Sequence, residues 1–294
     1  MDRRRTGRTV VVGVDGSDIA LRAVRWGAAE ASRRHVPLRL VLAFTEVADY
    51  LVGHPAMGQR TREALLARAG NCLHDAAELA RQQEPSVDVE EQLVIGFPTE
   101  VLADESRRAQ LVVVGEQGLG RIAAALTGSV AGSVAVHAAC PVVIVRGPDR
   151  PDRDRLPVVV GVDGSPVSEA AMAFAFAAVA DRGVPLVAVH TWSDPALAAA
   201  GQPAGAEAQE REVLAERLAG WAQKYPDVRV QRVVTTDRAA HQLLVQAEQA
   251  QLVVVGSRGH GDLTGFVLGS VSNALVHGAT CPVAVVRPEI GDQP

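Results

Sequence analysis

The sequence predicts an α/β protein made of two tandem, doubly wound parallel sheets. Three observations carry this. The chain repeats itself: Thr9-Val-Val-Val-Gly-Val-Asp-Gly-Ser17 returns as Pro157-Val-Val-Val-Gly-Val-Asp-Gly-Ser165, and Cys140-Pro-Val-Val-Ile-Val-Arg146 returns as Cys281-Pro-Val-Ala-Val-Val-Arg287. The apolar runs are continuous and Val-rich, as in strands covered on both faces, and not alternating, as in strands with one wet face. Strand-like runs also alternate with helix-length segments, the pattern of a parallel sheet joined by crossover helices.

Each copy begins with a Val-rich strand ending in VGVDGS, near 9–14 and 157–162, followed by a helix near 17–34 and 166–181. The triplet Val36-Pro37-Leu38, repeated as Val184-Pro185-Leu186, leads into a second strand near 38–44 and 185–191. Loop 45–58 of the first copy holds Tyr50 and Leu51, a surface loop or else a cover for the first site or a contact with a partner. Helices near 59–83 and 207–224 follow; in the latter Val213, Leu214, Leu218 and Trp221 fall at helical spacing and face the core. Then come strands near 87–95 and 228–235, helices near 98–108 and 237–249, and strands near 110–115 and 251–256. A glycine loop, a helix near 128–138 or 269–278, and a closing strand near 141–146 or 282–287 complete each copy. Matching positions are separated by 148 early and 141 late, so the second copy is seven residues shorter between its second and third strands, as a surface loop tolerates. The domains are expected at 1–147 and 156–294, with the charged, proline-rich segment 147–157 as linker.

At 294 residues there is room for two cores, and with 3% aromatic residues they are built from Val, Leu, Ile and Ala. A net charge of −5 argues against general nucleic-acid binding, which needs a basic footprint; Arg3, Arg4, Arg5 and Arg8 read as a solvated tail. Cys72, Cys140 and Cys281 lack metal-like or disulfide-like spacing, which suits a reducing cytoplasm. The apolar run after the basic N-terminus is too short for a signal peptide, and the apolar window 122–145 is broken by glycine, serine and proline, so no membrane span is expected.

The chemistry is expected at the glycine loops. Gln110–Ser129 and Gln251–Ser270 both fit G-x2-G-x9-G-S after QLVVVG. Glycines let backbone N–H groups approach an anion, and a helix start adds unpaired donors and a favourable dipole: a phosphate cradle. Both VGVDGS and the glycine loop follow carboxyl strand ends, where ligands of doubly wound sheets bind. No GKS/T P-loop, Ser-His-Asp signature, SGGxDS loop or HExxH pattern is present, and the first strand lacks the G-x-G-x-x-G of dinucleotide enzymes.

With VGVDGS, G-x2-G-x9-G-S and the closing CPV strand present in both copies, the chain resembles the universal stress protein family in its tandem form. The resemblance implies an adenine-nucleotide hydrolase-like fold with strand order 3-2-1-4-5, and ATP binding at one site per domain, with Mg2+ arriving with ATP. By motif, the first site takes Gly13, Asp15 and the backbone about Ala43, then Gly115, Glu116, Gln117, Gly118, Leu119, Gly120 and Arg121, with Gly128, Ser129 and Val130 at the helix start. The second takes Gly161, Asp163 and Asp194, then Gly256, Ser257, Arg258, Gly259, His260, Gly261 and Asp262, with Gly269, Ser270, Val271 and Ser272. No catalytic or metal-ligating residue is assigned. Plainer readings stand beside these: Asp15 and Asp163 as N-cap-like carboxylates, Ser129 and Ser270 as simple N-caps, Asp194 as a turn residue, His260 as solvated, His190 as buried near the crevice.

The two cradles differ. Arg258 places a cation in the second loop, where the first has Glu116 and Gln117, so the first site is expected to bind ATP more weakly unless Glu116 points outward or Arg121 compensates. The function implied is a regulatory ATP-binding protein of stress adaptation or growth control, acting with a protein partner and as a homodimer, with neither nucleic acid nor membrane as partner. A slow ATPase or a nucleotidyl transferase is the alternative. The closing strands would be sheet edges in this order, and the two halves are expected to meet through them.

Overall fold

The computed structural model describes residues 9–45, 55–116, 129–192, 205–259 and 267–287. The chain divides into two compact units, Met1–Val145 and Arg146–Pro294.

In the first unit, β1 (Thr9–Gly13), β2 (Leu38–Phe44), β3 (Val89–Ile95), β4 (Ala109–Gly115) and β5 (Val142–Val145) are interleaved with α1 (Asp18–Arg34), α2 (Pro55–Gln83), α3 (Pro98–Ser106) and α4 (Ser129–His137). The strands lie in the order β3-β2-β1-β4-β5, all paired parallel. The second unit repeats this with β6 (Val158–Gly161), α5 (Pro166–Arg182), β7 (Leu186–Thr191), α6 (Ala206–Lys224), β8 (Val230–Thr235), α7 (Ala239–Ala247), β9 (Leu252–Gly256), α8 (Ser270–Gly278) and β10 (Val283–Val286). Its order is β8-β7-β6-β9-β10, again parallel. The expected fold class and strand order therefore hold in each unit.

Right-handed crossovers dictate where the helices go. The chain first steps outward from β1 to β3, then returns across β4 to β5, so α1 and α2 pack together on one face and α3 and α4 on the other. The direction reverses between β1 and β4, and between β6 and β9. There the carboxyl ends of neighbouring strands open a crevice. The inner strands are buried on both faces: Val10, Val11, Val12, Leu111, Val112 and Val113 in one unit, and Val158, Val160, Val253 and Val254 in the other, are at most 1% exposed.

Several local expectations change. Part of the loop placed at 45–58 is helix, because α2 starts at Pro55, a residue suited to a first helical turn. Helix α7 starts two residues later than expected, because Asp237 turns its carboxylate back onto the Arg238 amide at 2.6 Å. The N-cap of α8 is Gly269, and Ser270 is its first helical residue. Asp15 and Asp163 are not caps either; Ser17 and Ser165 are. The segment read as a linker is fastened down: Arg150 donates to the Glu248 carbonyl at 2.9 Å, Arg153 to that of Thr280 at 3.0 Å, and Gln251 to that of Leu156 at 2.6 Å. No described helix is long and apolar enough to cross a membrane.

Candidate functional site

The second unit shows how VDGS builds a rigid bend. Val162 donates its amide to Val189 at 2.8 Å, which carries the chain just past the end of β6. Gly164 then takes φ +83, a left-handed conformation that glycine adopts without strain. Ser165 caps α5 by accepting from the Ser168 amide at 3.2 Å, and gives its own hydroxyl proton to Asp163 Oδ1 at 2.7 Å. The same oxygen accepts the Ser165 amide at 2.9 Å. One carboxylate oxygen is thus committed to bracing the cap, and the other, Oδ2, is turned toward Gly259. A Cβ built on Gly259 would lie 2.6 Å from it. The first unit repeats the brace: Asp15 Oδ1 accepts the Ser17 amide at 3.0 Å and its hydroxyl at 2.6 Å, with Gly16 at φ +82.

The glycine loop is closed at both ends by one residue. Ser257 donates its amide to Val286 at 2.7 Å, while its carbonyl accepts the Gly269 amide at 2.9 Å and the Ser272 hydroxyl at 3.2 Å. A side chain at Gly269 would press on the Arg258 backbone, 3.2 Å from its Cα, and one at Gly256 would meet Val167 at 2.8 Å. So the first and third motif glycines serve close approach, and the middle one faces Asp163. Because Gly269 has no side chain to cap α8, the first-turn amides of Ser270, Val271 and Ser272 are left to whatever occupies the space in front of them.

That space is a cavity of about 310 Å3. Asp163, Arg258, Gly259 and the Gly269–Ser272 helix start form its polar side. Val162, Val189, Thr191, Ala239, Leu243 and Leu268 supply an apolar wall. The positive end of a helix and a guanidinium at one mouth favour an anion, and the apolar wall favours a flat or aliphatic group beside it. Burial first, and then the neighbouring charge of Arg258, holds the Arg287 guanidinium below its ordinary value.

Of the residues expected at this site, Gly161, Asp163, Gly256, Arg258, Gly259, Gly269, Ser270, Val271 and Ser272 line the one cavity. Ser257 is buried beside it as the loop's clasp. Asp194, His260, Gly261 and Asp262 lie outside the described residues. In the first unit, Gly13 and Gly115 end neighbouring strands, Ala43 stands near the end of β2, and Ser129 and Val130 open α4. Glu116 donates its amide to Val145 at 3.0 Å, as Ser257 does to Val286. Gln117, Gly118, Leu119, Gly120, Arg121 and Gly128 lie outside the described residues. Sequence reasoning missed Val189, Thr191, Ala239 and Leu243. For Thr191 a signal existed: it stands 148 positions after Ala43, in the register of the early repeat. His190 is buried, bonded to the Val162 carbonyl at 2.8 Å and to Glu210 at 3.0 Å.

A duplicated doubly wound sheet with a cavity at the switch point of its second copy defines the class. The universal stress protein family model matches residues 7–146 and 155–287. A universal stress protein of Mycobacterium tuberculosis is 43% identical over 295 residues, covering 98% of this chain and 99% of its own. One of Mycolicibacterium smegmatis is 42% identical over 289 residues, covering 95% and 97%. The crystal structure of a universal stress protein from Archaeoglobus fulgidus superposes with a TM-score of 0.74 at 17% identity, covering 96% of this chain and 99% of that one. The chain belongs to the universal stress protein family and carries its domain twice.

Proposed function

We propose that this protein is a regulatory ATP-binding member of its family, acting in stress adaptation or growth control, with the second-unit cavity as its principal nucleotide site. The observation that carries this reading is the convergence of an uncapped helix start, Arg258 and a glycine closely faced by the Asp163 carboxylate on one cavity with an apolar wall. The amides of Ser270 and Val271 and the Arg258 guanidinium would hold phosphates, Asp163 would face the sugar, and Val189, Thr191 and Leu243 would line the base. ATP would supply Mg2+ along with its phosphates. Among the described residues no group of three or more His, Cys, Asp or Glu stands together to hold a metal by itself.

The first unit would bind more weakly, because Glu116 stands where the second unit has Ser257 beside Arg258. Occupancy would be read by a protein partner, with homodimer formation part of the same reading. Slow hydrolysis by phosphate positioning alone is the alternative output. Identifying by mass the nucleotide released when purified protein is denatured tests the proposal. Retained ATP is the expected result, ADP points to turnover, and NAD or an empty protein whose melting ignores added ATP contradicts it.

A further inference from the structure

The two helices whose starts enter the second cavity are short, nine residues each, and both are held at their far ends by the segment that opens the second unit. Arg146 donates through Nη1 to the carbonyls of Leu275 (2.9 Å) and Val276, and through Nη2 to that of His277 at 2.9 Å, the last turn of α8. Arg150 reaches the Glu248 carbonyl at the end of α7. Between α8 and β10, Arg153 takes the Thr280 carbonyl, and Gly147, at φ +74, lies so close to Thr280 that a Cβ there would stand 2.0 Å from its oxygen. Thr280 in turn gives its hydroxyl proton to Ala247 at the end of α7.

We infer that Arg146 and Arg150 are positioning residues for the second cavity, and that the segment 146–156 senses its occupancy; the inference rests on the nucleotide reading above. A nine-residue helix is a rod of roughly 13 Å with no internal hinge, so fixing its last turn fixes its first. Guanidinium groups at the carbonyl ends also complement both helix dipoles while the amide ends face the ligand. Coupling is reciprocal: a phosphate that tightens the start of α8 tightens the hold of Arg146 on its end, and releasing that end loosens the phosphate. The contact of Ser272 with Ser257 acts at the cavity end and does not reach the segment.

Hydrogen exchange across the full chain, with and without ATP and Mg2+, tests this, together with ATP affinity in wild type, Arg146→Ala/Arg150→Ala and Arg146→Lys/Arg150→Lys. ATP should slow exchange both in the cavity peptides (256–259 and 269–272) and in 146–156. The alanine pair should abolish the response of 146–156 and weaken binding about fivefold, and the lysine pair should recover part of both. Slowed exchange at the cavity with none in 146–156, or undiminished affinity in the alanine pair, overturns the inference while leaving the nucleotide site standing. Absence of any slowing at the cavity overturns both. Where the alanine pair fails to fold, the wild-type comparison still tests the sensing by 146–156, and the affinity of the lysine pair, expected to be reduced, tests the arginines.

Discussion

Asp163 divides its two oxygens between structure and site. Oδ1 holds the Ser165 cap, so Asp163→Ala would cost α5 part of its N-terminal anchoring as well as removing a carboxylate from the polar side of the cavity; Gly259 is the cleaner probe. Its motif position was legible because glycine spacing survives in sequence. The clasp from Ser272 to Ser257 was not, since a hydroxyl bonded fifteen residues away leaves no local pattern. Cys281 shows the opposite case, a residue whose place before a closing strand already implied burial. That burial pushes its thiol from the ordinary 9.0 up to about 12. An acid with a raised folded-state pKa is deprotonated first in the unfolded chain, so its burial adds stability loss as pH rises from the ordinary thiol value toward 12. Melting temperature should therefore fall further between about pH 8 and about pH 10.5 in wild type than in Cys281→Ala, which removes the titration. Equal falls would contradict it.

Between elements, the two units solve the same helix packing with different side chains. In the second, Phe176 of α5 is fully buried and stacks on Trp221 and Tyr225, both with ring centroids 5.7 Å away. In the repeat register the first unit has Ala28 for Phe176 and Ala80 for Trp221, both fully buried. Phe176→Ala should thus cost about 3–5 kcal/mol, by deleting the ring and leaving a cavity. Urea unfolding followed by tryptophan fluorescence in a Trp26→Phe/Trp192→Phe background, which leaves Trp221 as the reporter, checks it, and a loss below about 1 kcal/mol would mean the helices close up around the gap. Strands were legible from Val-rich runs because burial on both faces selects continuous apolar sequence. The start of α2 and the fastening of segment 146–156 were not, for arginine-to-carbonyl bonds across 98 to 131 residues follow no periodicity. A charged, proline-rich stretch looks the same whether it hangs in solvent or is bound down by Arg150 and Arg153.

For the molecule as a whole, duplication makes the two units comparable position by position, and the comparison singles out the second. It has Arg258 in its glycine loop, where the first has Gln117. The order of strands was legible only through the family resemblance, whereas the alternation of strands and helices was legible from residues alone. The central claim is that the second cavity grips a triphosphate through main-chain amides at its glycine bend. Calorimetric titration of ATP into wild type and Gly259→Ala tests it most directly. A Cβ 2.6 Å from Asp163 Oδ2 must displace the loop or the carboxylate, so binding should weaken about tenfold with the melting temperature little changed. Unchanged affinity in Gly259→Ala, or no heat of binding in either protein, would contradict the account.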